Sequence, residues 1–204
     1  MRLFTVFLSI LCAGCVAVSE GVGSMSEIDG DSVMVVGKIQ IVPPIKPEEQ
    51  SYKANDPFNS KRHFLGRAVM FVSDKPEYQN HTGHALNPAL EETFFLKVPR
   101  SQRFMVKGSV TMSFAMRTTS PRTATVDQTE LMFPSPAEFD MRPGDKVIYI
   151  GTLRMHRDEF HEVTKAEIRD EYERALSDYR KKFGSGPAPR KALLKPVRAR
   201  QAAK

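Results

Sequence analysis

The chain has 204 residues, 41% hydrophobic and 26% charged, which is the composition of one globular domain with appendages and excludes a fibrous, disordered or multi-span membrane protein. Two cysteines exclude a disulfide-stapled scaffold, and a domain of this length holds enough interior to fold without one. The net charge of +6 is uneven: eight basic and no acidic residues lie between Lys181 and Lys204, and with those and Arg2 set aside 21 basic residues face 24 acidic ones. The body is mildly acidic and the C-terminal end strongly basic.

Arg2 is the one charge ahead of Leu3–Leu11, a run apolar except for Thr5 and Ser9; small residues Ala13 and Gly14 follow, then Cys15. That order marks a segment made to be recognised and removed. Leu3–Val18 falls short of the roughly 20 residues of a spanning helix, and an ordinary secretory signal cut near Ala17 is the other alternative. Leu11-Cys12-Ala13-Gly14-Cys15 resembles the lipobox of bacterial lipoproteins: Ala13, Gly14 and Cys15 match, and Cys12 stands where Leu is usual. The resemblance implies a signal peptide over 1–14, cleavage before Cys15, and diacylglyceryl on its sulfur with further acylation of the freed amine. Two or three acyl chains make such an anchor stable where one does not. Cys12 would leave with the signal, so lipidation also accounts for the single cysteine of the mature chain. Val16 rather than Asp follows the cysteine, which in some lineages implies sorting to the outer membrane.

After the cysteine, residues 15–31 are rich in Ser, Gly and acidic residues and read as a lipidated N-terminus with a flexible tether. Ser32–Val42 is β-branched and apolar and ends at Pro43-Pro44, as a first strand would. Strands are expected at Phe64–Ser73, Thr93–Val98, Arg103–Met116 and Thr129–Phe133, with loops over 47–62 and 74–92. Phe104, Val106, Gly108, Val110, Met112 and Phe114 alternate as one face of a sheet. Arg142-Pro143-Gly144-Asp145 is a tight turn. Lys146–His156 and Phe160–Arg169 then form a hairpin. Asp170 is the expected N-cap of a helix whose Tyr172, Ala175, Leu176, Tyr179 and Phe183 share one face, with Arg180, Lys181 and Lys182 at its end and Gly184 as its stop. Many strands followed by one helix predict a mainly β fold. The expected form is a β-sandwich of immunoglobulin- or transthyretin-like layout over 32–184, with one C-terminal helix and a disordered basic tail over 185–204.

The stretch Arg142–Leu153 with Asp170-Glu171-Tyr172 resembles a module of uncharacterised bacterial cell-envelope lipoproteins, in which a Pro-Gly turn, a Tyr-Ile-Gly strand, a second strand and an acidic-aromatic helix close a small sandwich. It covers about 40 residues and carries no catalytic residues over. Metal binding is the first chemistry to weigh. His81 and His84 form one pair and His156 and His161 another, with Asp158 or Glu159 as a third group, yet a structural zinc site uses four ligands and a catalytic one three. Nucleophile-elbow, phosphate-loop and H-E-x-x-H motifs are missing, and Glu91-Glu92 and Asp158-Glu159 read as solvated turns. Asn80-His81-Thr82 matches a glycosylation acceptor without significance in a bacterial lipoprotein. Neither a catalytic residue nor a cofactor is therefore expected. The tail, with Arg190, Lys191, Lys195, Arg198, Arg200 and Lys204, suits an anionic envelope surface; export and the lack of stacking aromatics count against nucleic acid. The expected protein is a lipid-anchored envelope protein serving as a non-catalytic binding or structural module. A metal- or small-molecule-binding lipoprotein and an enzyme without a recognisable motif are the alternatives.

Overall fold

The structure is a computed structural model that describes residues 18–19, 21–46, 49, 66–77, 84–115, 126–133 and 136–197. The signal segment, Cys15, His81 with its acceptor motif, and 198–204 lie outside the described residues. In chain order the elements are β1 (Val18–Ser19), β2 (Ser32–Val42), β3 (Ala68–Ser73), β4 (His84–Leu86), β5 (Thr93–Pro99), β6 (Phe104–Ala115), β7 (Val126–Met132), β8 (Ala137–Glu138), β9 (Val147–Arg157), β10 (Val163–Arg169), helix α1 (Tyr172–Phe183), β11 (Arg190–Lys191) and β12 (Lys195–Pro196). Among the described residues they form a seven-stranded sheet, ordered β1-β4-β3-β6-β8-β12 with β7 also on β6, and a five-stranded sheet, ordered β10-β9-β2-β5 with β11 also on β9. The fold is mainly β, with the α-helix Tyr172–Phe183 near its C-terminal end.

The two sheets face each other across one core. Val33, Val35, Ile39, Ile41, Leu153 and Met155 of the five-stranded sheet meet Met70, Val72, Leu86, Met105, Val110 and Leu131 of the other. Burial of each such side chain contributes about 1.5–3 kcal/mol. On its opposite side the five-stranded sheet carries α1, where Met34, Val36, Phe95, Val147 and Tyr149 bury Ala175, Leu176 and Tyr179. These three are the apolar positions that the helical spacing put on one face. No helix among the described residues is long and apolar enough to cross a membrane.

Bulges decide which side chains the sheets present. On β9, Val36 pairs with Tyr149 but Lys38 with Thr152, so β9 carries one extra residue, at Ile150-Gly151. Gly151 has φ +95, and a Cβ there would stand 2.6 Å from Ile168 Cγ2, so the bulge needs glycine. It reverses the phase of the strand: Leu153 and Met155 enter the core, while Thr152, Arg154 and His156 face outward. On β6, Phe71 pairs with Lys107 but Val72 with Met105, leaving Val106 as the extra residue. The single alternating face expected from Phe104 to Phe114 is thereby corrected: Met105, not Phe104 or Val106, joins Val110 in the core.

Both appendages are corrected as well. The expected flexible tether gives way to structure from Val18, which pairs in parallel with Ala85 of β4. Gly21 then bridges to Leu96 of β5, and Val22 is buried against α1. The expected disordered tail is ordered over 185–197. Arg190–Lys191 pairs in parallel with Ile148–Tyr149 of β9, Lys195–Pro196 pairs with β8 of the other sheet, and Ala192 and Leu194 lie in the core. This segment is a strap that closes one side of the sandwich by joining both sheets. Its alternating apolar residues, Ala192 and Leu194, were the available signal, and the surrounding Pro and basic residues obscured it.

Candidate functional site

The hairpin of β9 and β10 holds the histidines. His156 and Arg157 are consecutive strand residues and point to opposite faces. His156 lies outward, its Nε2 3.4 Å from Glu167 Oε1. Arg157 points inward with its side chain 3% exposed and donates to the carbonyls of Pro43 and Pro44 and to both carboxylate oxygens of Glu49, at 2.9 and 2.7 Å. The same guanidinium donates to His161 Nδ1 at 2.6 Å. His161 therefore belongs to the Arg157–Glu49 knot, while His156 sits across the sheet from it. A single ion cannot be shared by the two in this arrangement, and a cation at His161 Nδ1 would face a guanidinium. Among the described residues no three His, Cys, Asp or Glu side chains stand together as metal ligands. Arg157 pulls the Glu49 carboxyl below its ordinary value by hydrogen bonding, although burial pushes it the other way.

Beyond the cover of α1, the outer face of the five-stranded sheet is a polar ladder in register, with Lys38 opposite Thr152 and Gln40 opposite Arg154. Arg154 Nε donates to Gln40 Oε1 at 2.8 Å, and its Nη2 lies 3.7 Å from Glu171. Glu171 also accepts from Thr152 Oγ1 at 3.0 Å. Lys38, 8% exposed at its side chain, has its amine 4.0 Å from Glu91. Glu167 receives Lys165 and Arg169 at 3.0 and 2.8 Å, and hydrogen bonds from both hold its carboxyl down at about 2. The carboxylates read as turn residues organise backbone. Glu91 accepts from Ile41 N, and Asp158 accepts from the amides of Phe160 and Glu162.

The start of α1 departs from expectation by one residue. Glu171 is the boundary residue and makes no side-chain cap; its amide donates to Tyr149 Oη at 2.7 Å. Asp170 still serves the helix, accepting from Tyr172 N at 3.2 Å. Toward the far end, Arg180 stands between two shallow hollows of about 420 and 530 Å³ that share Leu176 as floor. One is bounded by Tyr179, Gly184, Ser185, Gly186 and Ala188, the other by Glu173, Ser177 and Lys181.

Two of the basic residues assigned to the tail are engaged by carboxylates of the fold. Arg190 makes a bidentate pair with Asp145, Nε to Oδ1 at 2.9 Å and Nη2 to Oδ2 at 2.6 Å, and also donates to the Asp140 carbonyl. Asp145, the last residue of its turn, accepts from Arg142 N at 2.7 Å, and the Arg190 guanidinium holds its carboxyl below the ordinary carboxylate range. Lys191 reaches Asp170 at 2.9 Å and lies 4.7 Å above the Tyr172 ring. Arg100 joins this corner by donating to the carbonyls of Gly30 and Asp145. Comparison with family models, with characterised proteins and with solved structures yields no match to this chain.

Proposed function

We propose that the chain is made as a lipoprotein precursor, cut before Cys15 and held at a bacterial envelope membrane by lipid on that cysteine, and that its β-sandwich works there as a non-catalytic binding or structural module. The observation that carries this reading is the junction itself. A charged start, an apolar run and Ala13-Gly14-Cys15 are followed three residues later by the first strand of the fold, Val18–Ser19. A signal that is removed and a domain that begins at once fit on either side of one cysteine.

The module role is supported by how the polar side chains are used. Glu49, Asp145, Glu167 and Glu171 each hold a cation or a hydroxyl of the fold itself. Acid–base catalysis asks for a group free to exchange its proton with a substrate; these are engaged in holding loops and strands. A short link also sets the geometry. The three residue steps from Cys15 to Val18 reach at most about 11 Å when extended, so the lipid would keep the sandwich against the membrane surface.

Mass spectrometry of the mature N-terminus, after expression in a bacterium, tests the reading directly. The expected species begins at Cys15 and carries the mass of a diacylglyceryl group with or without a further acyl chain. An unmodified Cys15, or a chain that starts elsewhere, overturns it.

A further inference from the structure

We infer that the C-terminal end of α1 is a second membrane contact, with Arg180, Lys181 and Lys182 set against anionic lipid headgroups on the surface that holds the anchor. The inference takes its location from the proposed lipid on Cys15 and adds the face of the domain that meets the membrane.

The first ground is how the fold divides the basic run. Arg190 and Lys191 answer Asp145 and Asp170 inside the molecule, and Lys195 lies on β12 at the end of the seven-stranded sheet. The cations of the helix end are placed differently. Arg180 is exposed and has no acidic partner among the described residues. Lys181, with its side chain 75% exposed, has Asp178 at 3.8 Å, but that carboxylate also accepts from Thr93 Oγ1 at 2.6 Å. Lys182 Nζ stands 5.0 and 5.4 Å above the Phe95 and Phe183 rings, and the residue stays exposed.

The second ground is position. Phe95 and Phe183 pack edge to face with centroids 5.2 Å apart, and the Phe95 carbonyl accepts from Val22 N at 2.7 Å. Tyr179 Oη donates to Met25 Sδ at 3.4 Å. The helix end therefore adjoins the segment that leads back to Cys15. Six residue steps lead from Cys15 to Gly21, at most about 21 Å of extended chain. The third ground is the local shape: the hollows on either side of Arg180 have Leu176 as an apolar floor, which matches a phosphate headgroup with its glycerol below. Glu173, on the rim of one hollow, is the acidic residue that works against the contact there.

Cations in the last turn also complement the helix dipole. A purely intramolecular role of that kind is separable by experiment. All described elements lie within 18–197, so the chain from residue 15 onward carrying Cys15→Ser keeps the whole fold and carries neither signal nor lipid. Its co-sedimentation with phosphatidylglycerol/phosphatidylcholine vesicles is measured against phosphatidylcholine alone. Binding to the anionic vesicles, weakened by salt, is expected. Arg180→Gln with Lys181→Gln lowers the partition coefficient by roughly 25-fold, roughly fivefold per charge, with a melting temperature lowered by no more than about a few degrees. Equal binding by the double variant overturns the inference, as does a parent chain that ignores anionic vesicles. Because this chain has no lipid, the result is independent of the anchor: a lipidated Cys15 with no vesicle binding by the Cys15→Ser form sinks the second contact alone, and an unmodified Cys15 with vesicle binding sinks the anchor alone.

Discussion

Two stretches of the same basic run, 180–182 at the end of α1 and 190–191 in the strap, are alike in charge and opposite in use. In the strap, Arg190 is three-quarters buried at its side chain and paired at two points with Asp145. At the helix end, Arg180 and Lys181 project outward beside shallow hollows. The difference comes from what flanks each stretch. Ala192 and Leu194 follow Arg190 at strand spacing and enter the core, which holds Arg190 against Asp145. Lys181 lies on the helix away from Ala175, Leu176 and Tyr179, and Arg180 sits at the edge of that buried face beside Leu176, so burial of the helix leaves both exposed. A charge count along a sequence thus measures neither availability nor function until the apolar residues around it have been placed.

The comparison breaks first at the strap's apolar anchor. Leu194→Ala removes a core side chain from the element that joins both sheets and is expected to cost about 3 kcal/mol, read by urea denaturation; a loss below about 1 kcal/mol would mean that the strap only lies on the sandwich. Arg190→Gln comes next, expected to cost about 2 kcal/mol at neutral pH, since it leaves the Asp145 carboxylate mostly buried with one charged partner fewer.

That pair also has a pH signature. Asp145 is held below its ordinary value in the fold, so the stability it contributes is complete above the unfolded carboxyl value, about 4. It drains away as pH falls through the lower folded value. Arg190→Gln should therefore approach the parent in stability as pH falls below about 4, and parallel acid titrations of the two would show it. A constant gap would place the loss in packing instead. The smallest effect belongs to the other stretch. Arg180→Gln with Lys181→Gln should cost no more than about 1 kcal/mol, the share of two exposed cations in the helix dipole, and a loss as large as that of Arg190→Gln would make those cations structural.

Much of the fold was legible in the residues. Ser32–Val42 and Thr93–Val98 declared themselves by β-branched and aromatic runs, and α1 by its five apolar positions and its Gly184 stop, because both signals are local. The candidate site was far less legible. His156 and His161 read as neighbours across a hairpin, yet side-chain alternation at His156-Arg157 and the reach of Arg157 toward Glu49 and His161 put them on opposite faces. Partners more than 100 residues apart in the chain leave no local pattern.

What the sequence by itself determined is the long elements and their order: the principal strands of the β-rich body, the Pro-Gly turn at 142–145, the C-terminal helix and its apolar face, but not the two- and three-residue strands β1, β4, β8, β11 and β12. Propensity and periodicity act within a few residues, so they survive without a tertiary context. The proposed anchor at Cys15 rests on the same kind of local signal. Only the tertiary structure decided the parallel pairing of β2 with β9, the phase reversal at Gly151, the capture of 190–197 by both sheets and the exposure of 180–182. Each of these depends on which distant surfaces meet, and burial is a property of that meeting rather than of any one segment.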